Sequence, residues 1–215
     1  MKIHEVFENK VNSLKEDNRV EGIFITGSLA RGTETEYSDL DIIVLYPEEK
    51  VVEEVIEGIP VETHYNQISA VKERLIKEPS SAYLYVYGKI VSDEKGELKD
   101  IVGFAKEVLA NYEVSKEKKE HLKHKMQALK EKLTASLSLS DELKTSYLIA
   151  NNFKYIVDAV YAQNVLPTPP QGLNYEIYNL LKIKPADKWM ERLLTLKGNE
   201  LATFTLDLIE SLSLD

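Results

Sequence analysis

Two aspartates one residue apart, Asp39 and Asp41, lead into the apolar run Ile42–Tyr46. In an extended strand, residues i and i+2 point to the same face. The two carboxylates then stand side by side, and unassisted they repel, so that one resists ionising. A divalent cation removes the conflict. Mg2+ favours oxygen ligands and is commonly held by one or two carboxylates together with substrate phosphates. Leu40, Ile42 and Val44 fall on the opposite face, which anchors the strand in a core.

A second chemical element precedes the aspartates. Gly27 and Ser28 end the apolar stretch "VEGIFIT". Glycine lets the backbone take a positive φ or approach a ligand closely. If "SLARG" opens a short helix, its free N–H groups suit a phosphate, and Ser28 adds a hydroxyl donor. A phosphate held there, beside a two-carboxylate metal site, describes a nucleoside triphosphate with its Mg2+. Such sites stabilise the attacking and leaving oxygens of an in-line displacement. Glu62, in "PVETHY", is the candidate third carboxylate. If its strand lies beside that of the aspartates, Glu62 either joins the metal ligands or serves as the base for an acceptor's proton. His64 shares the face of Glu62 by the same i+2 rule and reads as a half-buried strand residue. Arg31 has two open roles, contact with the triphosphate or pairing with Glu34 or Glu36.

The elements that must position these residues follow from periodicity. Ile3, Phe7, Val11 and Leu14 mark an amphipathic first helix. Three strands are expected at "VEGIFIT", "DLDIIVLY" and "IPVETHY", then a helix through Ile68, Val71, Leu75 and Ile76 that Pro79 closes. "AYLYVYGKIVSD" is ambiguous in its tyrosine-rich half and reads as a short strand from "GKIVSD". Beyond residue 100 only helical spacing remains, in Ile101–Leu109, Leu122–Leu133, a stretch at 142–162, and around Trp189 and Phe204, with the proline-rich break "LPTPPQG" between. The expected fold is α+β, with residues 1–100 a small mixed sheet carrying helices on one face and residues 101–215 a helical bundle. The lysine run 115–132 reads as the solvated face of an amphipathic helix, and most of the 12 tyrosines as core.

Composition narrows the function. The chain has 215 residues and a net charge of −9, all of it carried by the first hundred residues. An acidic chain is a poor partner for a phosphate backbone, whose binding rests on lysine and arginine, so nucleic acid is not expected. The absence of cysteine rules out disulfides and thiolate metal sites. The N-terminal "MKIHEVFENK" is not patterned like a signal peptide, and "IIVLY" is far too short to span a membrane. A cytoplasmic location without membrane contact is expected, and the oligomeric state stays open.

The segment "ITGSLARGTETEYSDLDIIV" resembles the signature of the DNA polymerase β-like nucleotidyltransferase superfamily. The resemblance implies that Gly27 and Ser28 bind phosphate, that Asp39 and Asp41 hold the metal, and that Glu62 is the third acid. It implies attack of an acceptor hydroxyl on the α-phosphate of a nucleoside triphosphate, with pyrophosphate leaving. A helical C-terminal half is similar in kind to that of kanamycin- and lincosamide-type antibiotic nucleotidyltransferases, which makes a small-molecule acceptor and AMP transfer from ATP the expectation. Two alternatives stand beside it. One is a protein-adenylylating enzyme of the minimal nucleotidyltransferase antitoxin type, whose members are usually shorter. The other is a nucleotide-binding regulator without catalysis, against which the presence of all three acids weighs.

Overall fold

The structure, a computed structural model, describes residues 2–181, 183–185 and 188–214, with residue 171 described by its backbone only. Two compact units divide the chain, Met1–Asn111 and Tyr112–Asp215. In the first, strands β1 (Gly22–Ile25), β2 (Leu40–Leu45), β3 (Lys50–Ile56), β4 (Ile59–Asn66) and β5 (Lys89–Ser92) form one sheet in the order β3-β4-β2-β1-β5. β2 and β4 run parallel, and the other neighbours are antiparallel.

Helices cover both faces of this sheet, not one as the sequence suggested. α1 (Lys2–Lys15) and α2 (Gly27–Arg31) share a core with Ile23, Ile25, Ile42 and Val44. On the other face Phe24, Ile43 and Leu45 pack with residues of α3 (Ile68–Lys77), α4 (Ala82–Val86) and α5 (Glu97–Ala110), among them Leu75, Tyr85 and Ile101. The reason lies in β2. Its run Ile42–Leu45 is apolar at every position and buried throughout, the pattern of a strand covered on both sides rather than of one with a wet face. α5 straddles residue 100, where the sequence pattern changes, and packs wholly with the sheet through Leu98, Ile101 and Ala105.

β3 was not expected. Its β-branched residues come in pairs, Val51-Val52 and Val55-Ile56, around Glu53 and Glu54, so alternation is blurred, and as the edge strand it buries little. The signal that reveals it is the turn. Glu57 and Gly58 take φ of 52° and 86° and join β3 to β4, with Ile56 opposite Ile59, the two-residue hairpin in which both central residues need positive φ.

The second unit is helical. α6 (Lys116–Ser138) and α7 (Glu142–Gln163) form the main pair, with α8 (Gln171–Ile177), α9 (Trp189–Thr195) and α10 (Gly198–Ser211) following. Ser115 caps α6 by accepting from the Lys118 N–H at 3.2 Å, and Asp141 caps α7 by accepting from the Lys144 N–H at 3.0 Å, each satisfying an end donor. Leu122, Met126, Leu129 and Leu133 line the buried side of α6 against Ile149, Ile156, Val160 and Trp189. Several α6 lysines engage locally, Lys125 over the Tyr155 ring and Lys130 with Glu210. Leu143 and Tyr147 fit the helical spacing but lie 84% and 67% exposed; burial along α7 begins at Thr145 and Ile149. Among the described residues, no helix is long and apolar enough to cross a membrane.

Candidate active site

The end of β1 and the starts of β2 and β4 meet at one margin of the sheet. Thr26 follows β1 and its N–H donates to the Asp41 carbonyl at 3.2 Å. Asp41 is the second residue of β2 and lies beside Glu62 in the parallel register with β4. Neighbours in register share a face, so the two carboxylates emerge together, on the side of Ile43 and Leu45. Asp39 stands one residue ahead of β2 and is exposed.

Gly27 starts α2 with φ +70°, and a Cβ there would drive into the Asp41 carboxylate oxygen Oδ2. Two constraints, a left-handed backbone and close approach to a carboxylate, thus converge on glycine. Gly32, at φ 73°, ends the helix by donating to the Ser28 carbonyl. The turn is flanked by two buried hydroxyls, Thr26 Oγ1 and Ser28 Oγ, that have no hydrogen-bond partner among the described residues. Such a group costs about 1–3 kcal/mol when left unsatisfied in the interior. Folding has therefore set two unmet polar atoms on either side of Gly27, next to Asp41.

The electrostatics are strained in the same place. The Asp41 pKa is raised from 3.8 to about 6, first by burial, then by the charges of Asp39 and Glu62; His64 and Arg31 pull it partly back. Asp39, Glu62, His64 and Arg31 are thus all near enough to Asp41 for their charges to act on it. Glu62 has a specific companion: His64 Nε2 lies 2.8 Å from its Oε1. Glu34, a candidate partner for Arg31, has its Oε1 3.1 Å from His4 Nε2.

Among the described residues, no three or more histidine, aspartate or glutamate side chains are gathered closely enough to hold a metal ion by themselves. Mg2+ asks for less, since one or two carboxylates suffice when phosphate oxygens complete its shell. Asp39 and Asp41 meet that requirement, and the suppressed ionisation of Asp41 is what a neighbouring cation relieves.

Two participants escaped the sequence. Thr26 read only as the end of an apolar run, although its place directly before Gly27-Ser28 was the available signal. Glu53 lies opposite Glu62 across β3 and β4, extending the row of carboxylates to the sheet edge; without β3 it could not be placed.

Comparison with known proteins bears on this geometry. A family model described as a nucleotidyltransferase domain matches residues 8–135, a span that includes Gly27, Ser28, Asp39, Asp41 and Glu62. Among solved structures, a nucleotidyltransferase-like protein from Exiguobacterium sibiricum 255-15 is 14% identical, with 97% of this chain and 73% of that chain covered and a TM-score of 0.40. No curated protein matches the chain.

Proposed function

This chain belongs to the nucleotidyltransferase domain family and is a transferase, and we propose that it moves a nucleoside monophosphate, AMP from ATP, to a hydroxyl of a small-molecule acceptor. The observation that carries the reading is the pair of unsatisfied hydroxyls, Thr26 Oγ1 and Ser28 Oγ, around the positive-φ Gly27 beside Asp41. A polyanion with many acceptor oxygens satisfies both hydroxyls.

Gly27, Ser28 and Arg31 bind the phosphates. Glu62 takes the proton of the acceptor hydroxyl as general base, with its carboxylate oriented by His64. The acceptor oxygen bonds to the α-phosphorus, the bond from that phosphorus to the bridging oxygen breaks, and pyrophosphate leaves with the electron pair. Asp39 and Asp41 would hold Mg2+, which when bound offsets the charge of the phosphates and of the two aspartates. The surplus carboxylates of the first hundred residues favour an acceptor with positive charge, such as an aminoglycoside.

The test is a transfer assay with ATP labelled at the α-phosphate and Mg2+, against aminoglycosides, lincosamides and purified proteins. Labelled small-molecule product supports the proposal. Label found only on protein would overturn it in favour of protein adenylylation. Metal-dependent nucleotide binding with no transfer to any acceptor would favour a regulator.

A further inference from the structure

Glu34 is an inward residue in an outward segment. It lies between α2 and β2, where Thr33, Thr35, Glu36 and Tyr37 are exposed, yet its own side chain is only 12% exposed. A carboxylate is costly to bury unless something meets it. Its Oε1 lies 3.1 Å from His4 Nε2, while its Oε2 is buried and has no hydrogen-bond partner among the described residues. The segment thus forgoes the solvation of an acid and gains a contact with α1. His4 can hold it, because it stands in the first turn of α1 next to Ile3, which is buried in the core of Ile25, Leu29 and Ala30. The same turn holds a second segment. Lys2 Nζ donates to the Glu57 carbonyl at 2.7 Å, in the turn between β3 and β4. The two segments lead into β2 and β4, the strands of Asp41 and Glu62.

We propose that the contact of Glu34 with His4 is a latch that fixes the position of Asp39 and thereby sets the affinity of the site for Mg2+. This rests on the nucleotidyl-transfer reading and adds two positioning residues to it, which act through Asp39 rather than on the ligand. Asp41 needs no such device, because it is held in register with Glu62 inside the sheet. Asp39 precedes the paired residues of β2 and takes its place from the segment before it. That segment closes on itself. The Thr35 N–H donates to Ser38 Oγ at 2.9 Å, the Ser38 N–H to the Thr35 carbonyl at 3.2 Å, and the Tyr37 N–H to Thr35 Oγ1 at 3.2 Å. Residues 35–38 are therefore a compact turn with Glu34 at one end and Asp39 at the other, and a shift at Glu34 is passed on to Asp39. A contact that served stability alone would lower the melting temperature of its variants and leave metal affinity unchanged.

The experiment has two readouts. One is amide hydrogen exchange of the metal-free protein, read over residues 33–39 and over the β3–β4 turn. The other is the Mg2+ concentration that half-saturates binding of a non-hydrolysable ATP analogue. The proteins are wild type, His4→Ala, Glu34→Ala, the double variant, His4→Gln and Lys2→Met. His4→Ala and Glu34→Ala should each speed exchange over 33–39 and raise the half-saturating Mg2+ about three- to thirtyfold. Charge alone predicts a fall for His4→Ala and a rise for Glu34→Ala. The double variant should be no weaker than either single one, because each loses the same contact. His4→Gln keeps an N–H within reach of Glu34 and should recover most of the affinity. Lys2→Met frees only the β3–β4 turn, so exchange should rise there and Mg2+ dependence should match wild type. Thermal melts confirm that each variant is folded, and His4→Asn, whose amide is too short to reach Glu34, replaces His4→Ala should that variant melt early. Unchanged Mg2+ dependence in either folded single variant overturns the latch, as do additive losses in the double variant. Equal weakening by Lys2→Met overturns it as well, since the effect is then a general loosening of α1. Wild type that binds no nucleotide at any Mg2+ concentration overturns the nucleotidyl-transfer reading and this inference with it.

Discussion

Replacing Asp41 by asparagine should stabilise the metal-free protein while abolishing its activity. The Asp41 pKa is about 6 in the fold against 3.8 for the free group. Below about pH 4 the carboxyl is protonated both folded and unfolded, and ionisation costs nothing. Between about pH 4 and pH 6 the unfolded chain gives up this proton and the fold does not, so stability drains away as pH rises; above that window the deficit is constant. A rise of about 2 pK units corresponds to at most about 3 kcal/mol. Solvent screening of this partly exposed group reduces that to about 1–2 kcal/mol. In a chain of this size the matching shift in melting temperature is about 2–8 °C. Thermal melts in EDTA should show Asp41→Asn above wild type by that amount at pH 7.5 and level with it at pH 4. Adding MgCl2 should raise the melting temperature of wild type at pH 7.5 and leave the variant unmoved. A variant less stable than wild type at pH 7.5 without metal would refute the reasoning, because the carboxylate would then be making compensating bonds rather than bearing repulsion.

Ser28→Ala removes a buried hydroxyl that has no partner among the described residues, so stability should hold in a thermal melt while affinity for the Mg2+–ATP analogue falls by about 1.5–3 kcal/mol in calorimetry. Gly27→Ala meets both a φ of +70° and the Asp41 carboxylate; urea unfolding should show a loss of more than about 1 kcal/mol, and steady-state kinetics a loss of turnover. His64→Ala removes the 2.8 Å contact to Glu62, so kcat should fall while KM for ATP stays within about threefold, with part of the rate restored in His64→Gln.

Most contiguous elements of this protein, β3 and α8 excepted, were legible in its sequence, because each carries its own pattern. The run Ile42–Leu45 is apolar without a break, the helices repeat at the α-helical period, and Gly27-Ser28 and Asp39-x-Asp41 stand next to the strands that present them. Those residues stand out as candidates because glycine, hydroxyl and paired carboxylates at that spacing have few structural uses together. Periodicity states which residues are buried, but not against what. That Glu62 stands beside Asp41 depends on β4 pairing parallel with β2, while the residues between them fold out as the hairpin β3–β4. The covering of both sheet faces depends likewise on strand order. Strand order is decided by competition among packings of distant segments, where each closure of the chain must be offset by apolar area buried on the two faces. No local stretch records the outcome, so the tertiary structure alone set Asp41, Glu62 and Glu53 in register across neighbouring strands.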